Sequence, residues 1–248
     1  MPYSEQQVKS VRKWSEKTFS FTTTKPEGFQ FNNGEFVTIG LRAEGKLIAR
    51  AYSIVSTNDA NHLEFLSIYV PDGPFTSRLV NISQGDSVWI NTKTTGSLTL
   101  KYVQPGRNLY LLATGTGLSP FMSLIRDPAT YDAYETVALV HTVRTVSELA
   151  YHNEIQAMTN DRLRYLPTVT REPFAAQQRG ADMFRSGELF DKLGLPTADP
   201  NHDRVMLCGN PNMNQEMTDY LDVQGWTMTT YRGVGNFTVE KAFVLQHE

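Results

Sequence analysis

Cysteine is almost missing from this chain: Cys208 stands alone in 248 residues. A single cysteine excludes an internal disulfide and any iron–sulfur cluster ligated by this chain's own thiolates. Long apolar runs are missing too. No stretch approaches the roughly 18 consecutive apolar residues of a membrane helix, and residues 1–10 are polar, without the apolar segment of a secretory signal. A reducing, cytoplasmic setting without membrane association is the expectation. There is no basic excess either. The formal charge of −3 argues against nucleic acid, whose binders are usually basic. His62, His141, His152, His202 and His247 show neither metal-ligand spacing nor a Ser-His-Asp order, and each reads as solvated or hydrogen-bonded.

What is present is an ordinary globular composition, 40% hydrophobic and 20% charged, at a length comfortable for two domains. The charge is uneven. Residues 1–101 hold 11 Lys/Arg against 9 Asp/Glu, a net of +2, and residues 102–248 hold 12 against 17, a net of −5. A slightly basic front half suits an acidic protein partner, and ordinary surface charge accounts for it equally well.

The two halves differ in periodicity. In the first, Val37, Ile39 and Leu41 alternate, Leu47 to Ile54 follow a Glu44-Gly45 turn signal, and Leu63–Val70 and Ser87–Asn91 are further short strands. With no convincing helix, this predicts a small antiparallel β-barrel over residues 1–101. After Pro105-Gly106 the apolar runs Leu109–Ala113, Thr136–His141, Arg162–Val169, Arg204–Cys208 and Thr227–Tyr231 alternate with helix candidates. One helix opens at an N-cap Ser147 and carries Leu149, Ile155 and Met158. Another runs from about Ser186 to Gly194, and a third from Pro211 to Gly225. Such alternation predicts an α/β domain with a parallel sheet over residues 102–248, the boundary falling near 102–106.

Four segments carry chemistry. Leu111 to Pro120 reads Leu-Leu-Ala-Thr-Gly-Thr-Gly-Leu-Ser-Pro, a glycine-rich turn from a buried strand into a helix, where backbone N–H groups can approach a pyrophosphate. It lacks the third glycine of the dinucleotide fingerprint, and a glycine-rich turn without ligand significance is as good a reading of it alone. The next strand ends at Arg144, where NAD-binding folds offer an acid to the ribose. Arg171 follows the third strand and Arg179 the loop after it, a placement suited to clamping the 2′-phosphate of NADP. Each arginine singly reads as a surface residue, and their shared placement favours the phosphate. Arg50-Ala51-Tyr52-Ser53 ends a strand, with Arg50 and Tyr52 on one face. Pro71 to Leu79 is a turn into a short helix. In isolation these two fit an exposed strand end and a capped connector. Cys208-Gly209-Asn210-Pro211-Asn212-Met213 joins the fourth strand to its helix, where a cysteine is either a small buried hydrophobe or a functional group.

Together these segments resemble the ferredoxin–NADP+ reductase family, in its bacterial FAD-containing branch, across essentially the whole chain. Arg50 to Ser53 resembles the flavin motif Arg-x-Tyr-Ser, and Val70 to Ser77 the FAD-phosphate turn. Gly115 to Pro120 and Leu207 to Met213 resemble the two nicotinamide-domain signatures. The resemblance implies two cofactors, FAD and NADP(H), and hydride transfer between them. It also implies single-electron exchange with ferredoxin or flavodoxin, both acidic carriers. It implies an FAD set of Arg50, Ala51, Tyr52, Ser53, Tyr69, Val70, Phe75, Thr76, Ser77, Thr116 and Phe243. The implied NADP set is Thr116, Gly117, Arg144, Arg171, Arg179, Cys208, Gly209, Asn210 and Met213. Ser53, Tyr52 and Cys208 would flank the hydride path. At Arg179 the chain has Gln178-Arg179-Gly180 where relatives show Gly-Arg-Ile. The end of the chain resembles a subgroup whose C-terminal tail continues past the flavin, with Phe243 near FAD and residues 244–248 displaced before nicotinamide can stack. A monomer is the expectation. Rival readings are a flavin-bearing subunit of a larger complex, disfavoured by the single cysteine; a general NAD(P)H-flavin reductase, disfavoured by the arginines; and a flavin-free NADP-binding protein.

Overall fold

The first sheet turns one face to a single core and the other outward. The structure, a computed structural model, describes residues 2–241. β1 (Tyr3–Lys13), β2 (Thr18–Thr24), β3 (Phe36–Ala43), β4 (Lys46–Ser53), β5 (His62–Ile68) and β6 (Ser87–Thr95) pair in the order β4-β3-β6-β1-β2-β5, with antiparallel neighbours throughout. Phe19 and Phe21 of β2, Val37 and Ile39 of β3, Phe65 of β5, and Val88 and Ile90 of β6 point inward to one core. The β3–β4 loop is Glu44-Gly45, with φ of 52° and 77°, the left-handed pair that a tight hairpin requires. Past β4, Ile54 bridges Phe65 and Val55 N–H donates to the Glu64 carbonyl (2.8 Å), joining the two edge strands into a barrel. A turn containing Asp72 (φ 64°) leads from β5 into the single-turn helix α1 (Thr76–Leu79).

The second sheet is parallel and buried on both faces. β7 (Asn108–Thr114), β8 (Thr136–Val143), β9 (Leu163–Val169), β10 (Arg204–Gly209) and β11 (Phe237–Lys241) lie in the order β11-β10-β7-β8-β9. Every residue of β10 is buried, the mark of a strand covered by helices on both sides. Along β7, Leu109, Leu111 and Ala113 face one layer, with α2 (Leu118–Ile125), α3 (Pro128–Ala133) and α4 (His152–Met158) on that side. Tyr110 and Leu112 face the other, with α5 (Gly180–Ser186), α6 (Glu188–Leu193) and α7 (Pro211–Val223). The chain leaves β7 toward β8 and β9 on one side and returns to β10 and β11 on the other. The carboxyl ends of β7 and β10 therefore flank the point where strand order reverses, the crevice in which open α/β sheets bind ligands.

The first layer also packs Val55, Leu66 and Leu98 of the barrel, so one core spans both sheets. Polar groups pin the seam. The Arg126 guanidinium donates to the Val55 carbonyl (3.0 Å) and the Glu64 carboxylate (2.9 Å) of the barrel, and pairs with Glu154 of α4. Asn33 Nδ2 donates to Asp127 (2.7 Å), and the Trp14 and Tyr151 rings meet at 4.5 Å.

Five elements differ from expectation or go beyond it. β1 and β2 were not foreseen: β1 buries only Gln6 and Val8 of its eleven residues and shows no apolar alternation. Ser147 lies in a 3-10 turn (Val146–Glu148), and the α-helix begins only at His152, after Tyr151 at φ 58° interrupts the backbone. The helix expected from about Ser186 to Gly194 is α6, and the additional helix α5 precedes it, parted from it by Gly187 at φ 90°. Thr227–Tyr231 makes only isolated bridges, and the fifth strand is β11. Phe237 and Thr238 are buried there, whereas Tyr231 is 92% exposed; burial selected the strand.

Candidate functional site

A cleft of about 790 Å³ opens at the carboxyl ends of β7, β8, β9 and β10. Its floor is two turns. The first, Gly115–Gly117 in 3-10 form, follows β7 and enters α2; the second, Gly209-Asn210, follows β10 and enters α7. They are pressed together: a Cβ on Gly117 would lie 2.1 Å from the Cys208 carbonyl oxygen, and one on Gly209 would lie 2.0 Å from Thr114 Oγ1. Only glycine permits that approach. Thr114 Oγ1 accepts the Asn210 N–H (2.6 Å), tying the turns to each other. Asn210 caps α7 by accepting the Asn212 N–H (2.8 Å), with Pro211 at the first helical position.

The three arginines line this one cleft. Arg171 N–H donates to the Arg144 carbonyl (2.8 Å), which ties the ends of β8 and β9 together at the cleft. Arg144 is held by Glu148, which accepts both its backbone N–H (3.0 Å) and its Nη2 (2.9 Å). Arg179 pairs with Asp182 (2.6 Å) and with Glu216 (3.3 Å), a carboxylate that also lines the cleft. Arg171 is exposed and has no ion-pair partner among the described residues. Thr116, Gly209, Asn210 and Met213 also line the cleft.

Thr18, Leu66 and Ile68 of the barrel form the facing wall. Arg50 and Tyr52 lie on one face of β4, opposite Ile39 and Val37, as alternation predicts. Arg50 is exposed, donates to the Ala49 carbonyl (2.8 Å) and has no carboxylate partner among the described residues. The Tyr52 ring packs on Phe65 and Phe75, and its hydroxyl is 2.9 Å from Ser67 Oγ. Burial pushes that phenol up to about 12, so it stays protonated near neutrality. Ala51 is exposed, and Ser53, Tyr69, Val70 and Ser77 are half-buried. Phe75 is 1% exposed and Thr76 8%. The Thr76 hydroxyl is engaged with the Val70 backbone (3.2 Å to its carbonyl). Phe243 lies outside the described residues.

Cys208 does not reach the cleft. Its side chain is 2% exposed, within the layer between the parallel sheet and the barrel. Burial holds its thiol well above the ordinary range, which removes thiolate chemistry. Of its backbone, the carbonyl lies against Gly117.

Three side chains were not foreseen. Thr114 clamps the two turns. Glu240 accepts from Ser97 N–H and Oγ, joining β11 to the barrel, and burial raises its carboxyl. His141 lies under the first turn, 0% exposed, with Nε2 3.0 Å from the Gly115 carbonyl and Nδ1 unpartnered. Burial lowers its pKa to about 4. A bare buried nitrogen costs about 1–3 kcal/mol. No local sequence signal marks these residues, because their roles arise from contacts across strands.

The residues present fit the two groups the motifs call for: a floor of glycine backbone for a dinucleotide, guanidinium groups for a phosphate, and a partly apolar wall for a flat ring. This defines a two-domain flavin- and nicotinamide-dependent oxidoreductase. Residues 6–98 match the oxidoreductase FAD-binding domain and residues 111–219 the oxidoreductase NAD-binding domain. The chain is 47% identical to a ferredoxin–NADP reductase of Pseudomonas aeruginosa, covering 98% of each, and 45% identical to one of Azotobacter vinelandii, covering 96% and 97%. It superposes on a ferredoxin NADP+ reductase from Neisseria gonorrhoeae, solved with bound FAD and NADP, at a TM-score of 0.93 and 28% identity, over 98% of this chain and 100% of that one. The chain belongs to the ferredoxin–NADP reductase family and is an FAD- and NADP-dependent oxidoreductase. Among the described residues no helix is long and apolar enough to cross a membrane.

Proposed function

We propose that NADP(H) occupies the cleft over the Gly115–Gly117 and Gly209-Asn210 turns, with its 2′-phosphate on Arg144, Arg171 and Arg179. FAD lies on the barrel side, against Arg50, Tyr52, Ser53 and the Val70–Ser77 turn. The observation that carries this reading is the convergence of the three arginines, distant in sequence, on one cleft whose facing wall is the strand leading into the FAD-phosphate turn. Held there by Arg50, Tyr52, Ser53 and the Val70–Ser77 turn, FAD would supply the chemistry that links two-electron hydride transfer to single-electron transfer.

The chain's own residues orient and exclude. Glu148 and Asp182 hold Arg144 and Arg179 extended before the phosphate arrives, so less side-chain entropy is lost on binding. Tyr52, a protonated phenol fixed by Ser67 and Phe75, offers a rigid edge to a flat ring. Ser53, beside it, supplies a hydroxyl toward the reacting face. Cys208 shapes that region through its buried bulk and carbonyl rather than as a nucleophile. Met213 and Thr116 bound the nicotinamide end.

The acceptor is ferredoxin or flavodoxin, supported by the relatives' names and by the slight basic excess of the front half. The functional units divide at 1–101 and 102–248, and the protein acts as a cytoplasmic monomer. Absorbance of the purified protein under anaerobic conditions tests the core of this. Flavin absorbance that bleaches much faster with NADPH than with NADH is the expected result. Equal rates would remove the arginine assignment, and a protein that stays colourless with added FAD would remove the flavin site.

A further inference from the structure

His141 stands in β8 opposite Ala113 of β7 and Pro167 of β9, fully buried, and reaches under the turn that follows β7. Its Nε2 is 3.0 Å from the Gly115 carbonyl oxygen. A carbonyl only accepts, so the ring hydrogen sits on Nε2 and Nδ1 carries a lone pair. Nδ1 has no partner among the described residues. A leucine would fill this space without burying an unpaired nitrogen, and it could not donate to Gly115. The donation is therefore what the imidazole adds.

The bonded carbonyl is one of two that shape the turn. Gly115 oxygen also accepts the Leu118 N–H at the start of α2, and the Thr116 oxygen accepts the Ser119 hydroxyl (2.9 Å). Both are tied down, one partly by β8 and one by α2. Gly115 adopts φ 54°, with open space where a Cβ would be, so hydrogen bonds rather than crowding fix its conformation.

We propose that His141 is a positioning residue whose neutral imidazole, donating from Nε2, anchors Gly115 and sets the floor on which the pyridine dinucleotide lies, an inference that rests on the assignment of the cleft to NADP(H). The imidazole touches neither cofactor; it acts through the backbone it holds.

Isothermal titration of NADP+ into the FAD-loaded protein, with a thermal melt of each variant, tests this. His141→Leu should bind about tenfold more weakly, the loss of one buried hydrogen bond, with a melting midpoint at or above that of the parent. His141→Gln, whose amide can donate from near the Nε2 position, should stay within about threefold. The exposed Arg171→Ala is the control for the cleft itself. If Arg171→Ala weakens NADP+ while His141→Leu binds like the parent, the positioning role is overturned and the cleft assignment stands. If neither variant changes the affinity, the cleft assignment fails and the positioning role with it. Nitrogen-15 NMR of histidine-labelled parent protein gives a reading that needs no variant to fold. A proton on Nε2 is expected, and one on Nδ1 would overturn the inference.

Discussion

The barrel and the parallel sheet expose function in different places. In the barrel, alternation leaves one side of each strand outside, and the edge strand β4 carries exposed Arg50 and Ala51 along its length. In the parallel sheet β10 has no exposed residue and β7 has only Thr114 less than buried. Function there is confined to the strand ends, where side chains and turns escape the helical layers. Two charged pairs, one from each half, show how burial changes what a charge requires. The parallel half buries Asp203 completely and gives it the Arg107 guanidinium, Asn108 N–H and Nδ2, and Asp199 N–H. The barrel's Arg78–Glu44 pair sits at 3.6 Å with Glu44 89% exposed. A buried strand bundle tolerates charge only where every lone pair is met.

Breaking that contrast gives the largest expected effect. Asp203→Ala strands Arg107 and Asn108 beside a cavity and should cost about 3–5 kcal/mol in denaturant unfolding, whereas Arg78→Ala should cost under about 1 kcal/mol. Similar losses at the two sites would erase the distinction between them.

The second effect is pH-dependent. The folded pKa of His141 is about 4, below its ordinary 6.5, so the unfolded chain takes up the proton first as pH falls. Stability from this residue is complete above about pH 6.5 and declines toward pH 4, by at most about 3 kcal/mol. Stability curves of the parent and His141→Leu should diverge in that window as pH falls, the parent losing stability that the variant keeps, with Glu148 and His152 the neighbouring titratable groups in both. Parallel curves would show that the imidazole is not desolvated.

The smallest effect sharpens the strand-end half of the comparison. Arg171→Ala should raise KM for NADPH about tenfold or more, the worth of a charge-assisted hydrogen bond to phosphate, and leave NADH kinetics unchanged. An equal loss with both nucleotides would place Arg171 away from the 2′-phosphate.

Much of this architecture is legible in the sequence. The Glu44-Gly45 hairpin, the parallel run of β7, β8, β9 and β10, and the Pro211 start of α7 are local, because two-residue turns and caps are decided by neighbours in sequence. The flavin and dinucleotide motifs are legible for the same reason. β1 was not: it lies between β6 and β2, but with Val8 as its one buried aliphatic it carries no periodic signal. Nor was β11, which displaced Thr227–Tyr231 because only Phe237 finds the slot beside β10.

By itself, then, the sequence determined the two-domain class, the cofactor motifs and the candidate phosphate ligands, all of which depend on residue type and short spacing. Tertiary structure alone decided that Arg144, Arg171 and Arg179 share one cleft and that the Cys208 side chain turns away from it. It alone decided that His141 and Thr114 hold the turns forming the floor. Those facts depend on which strands become neighbours, and burial across the whole chain selects that pairing.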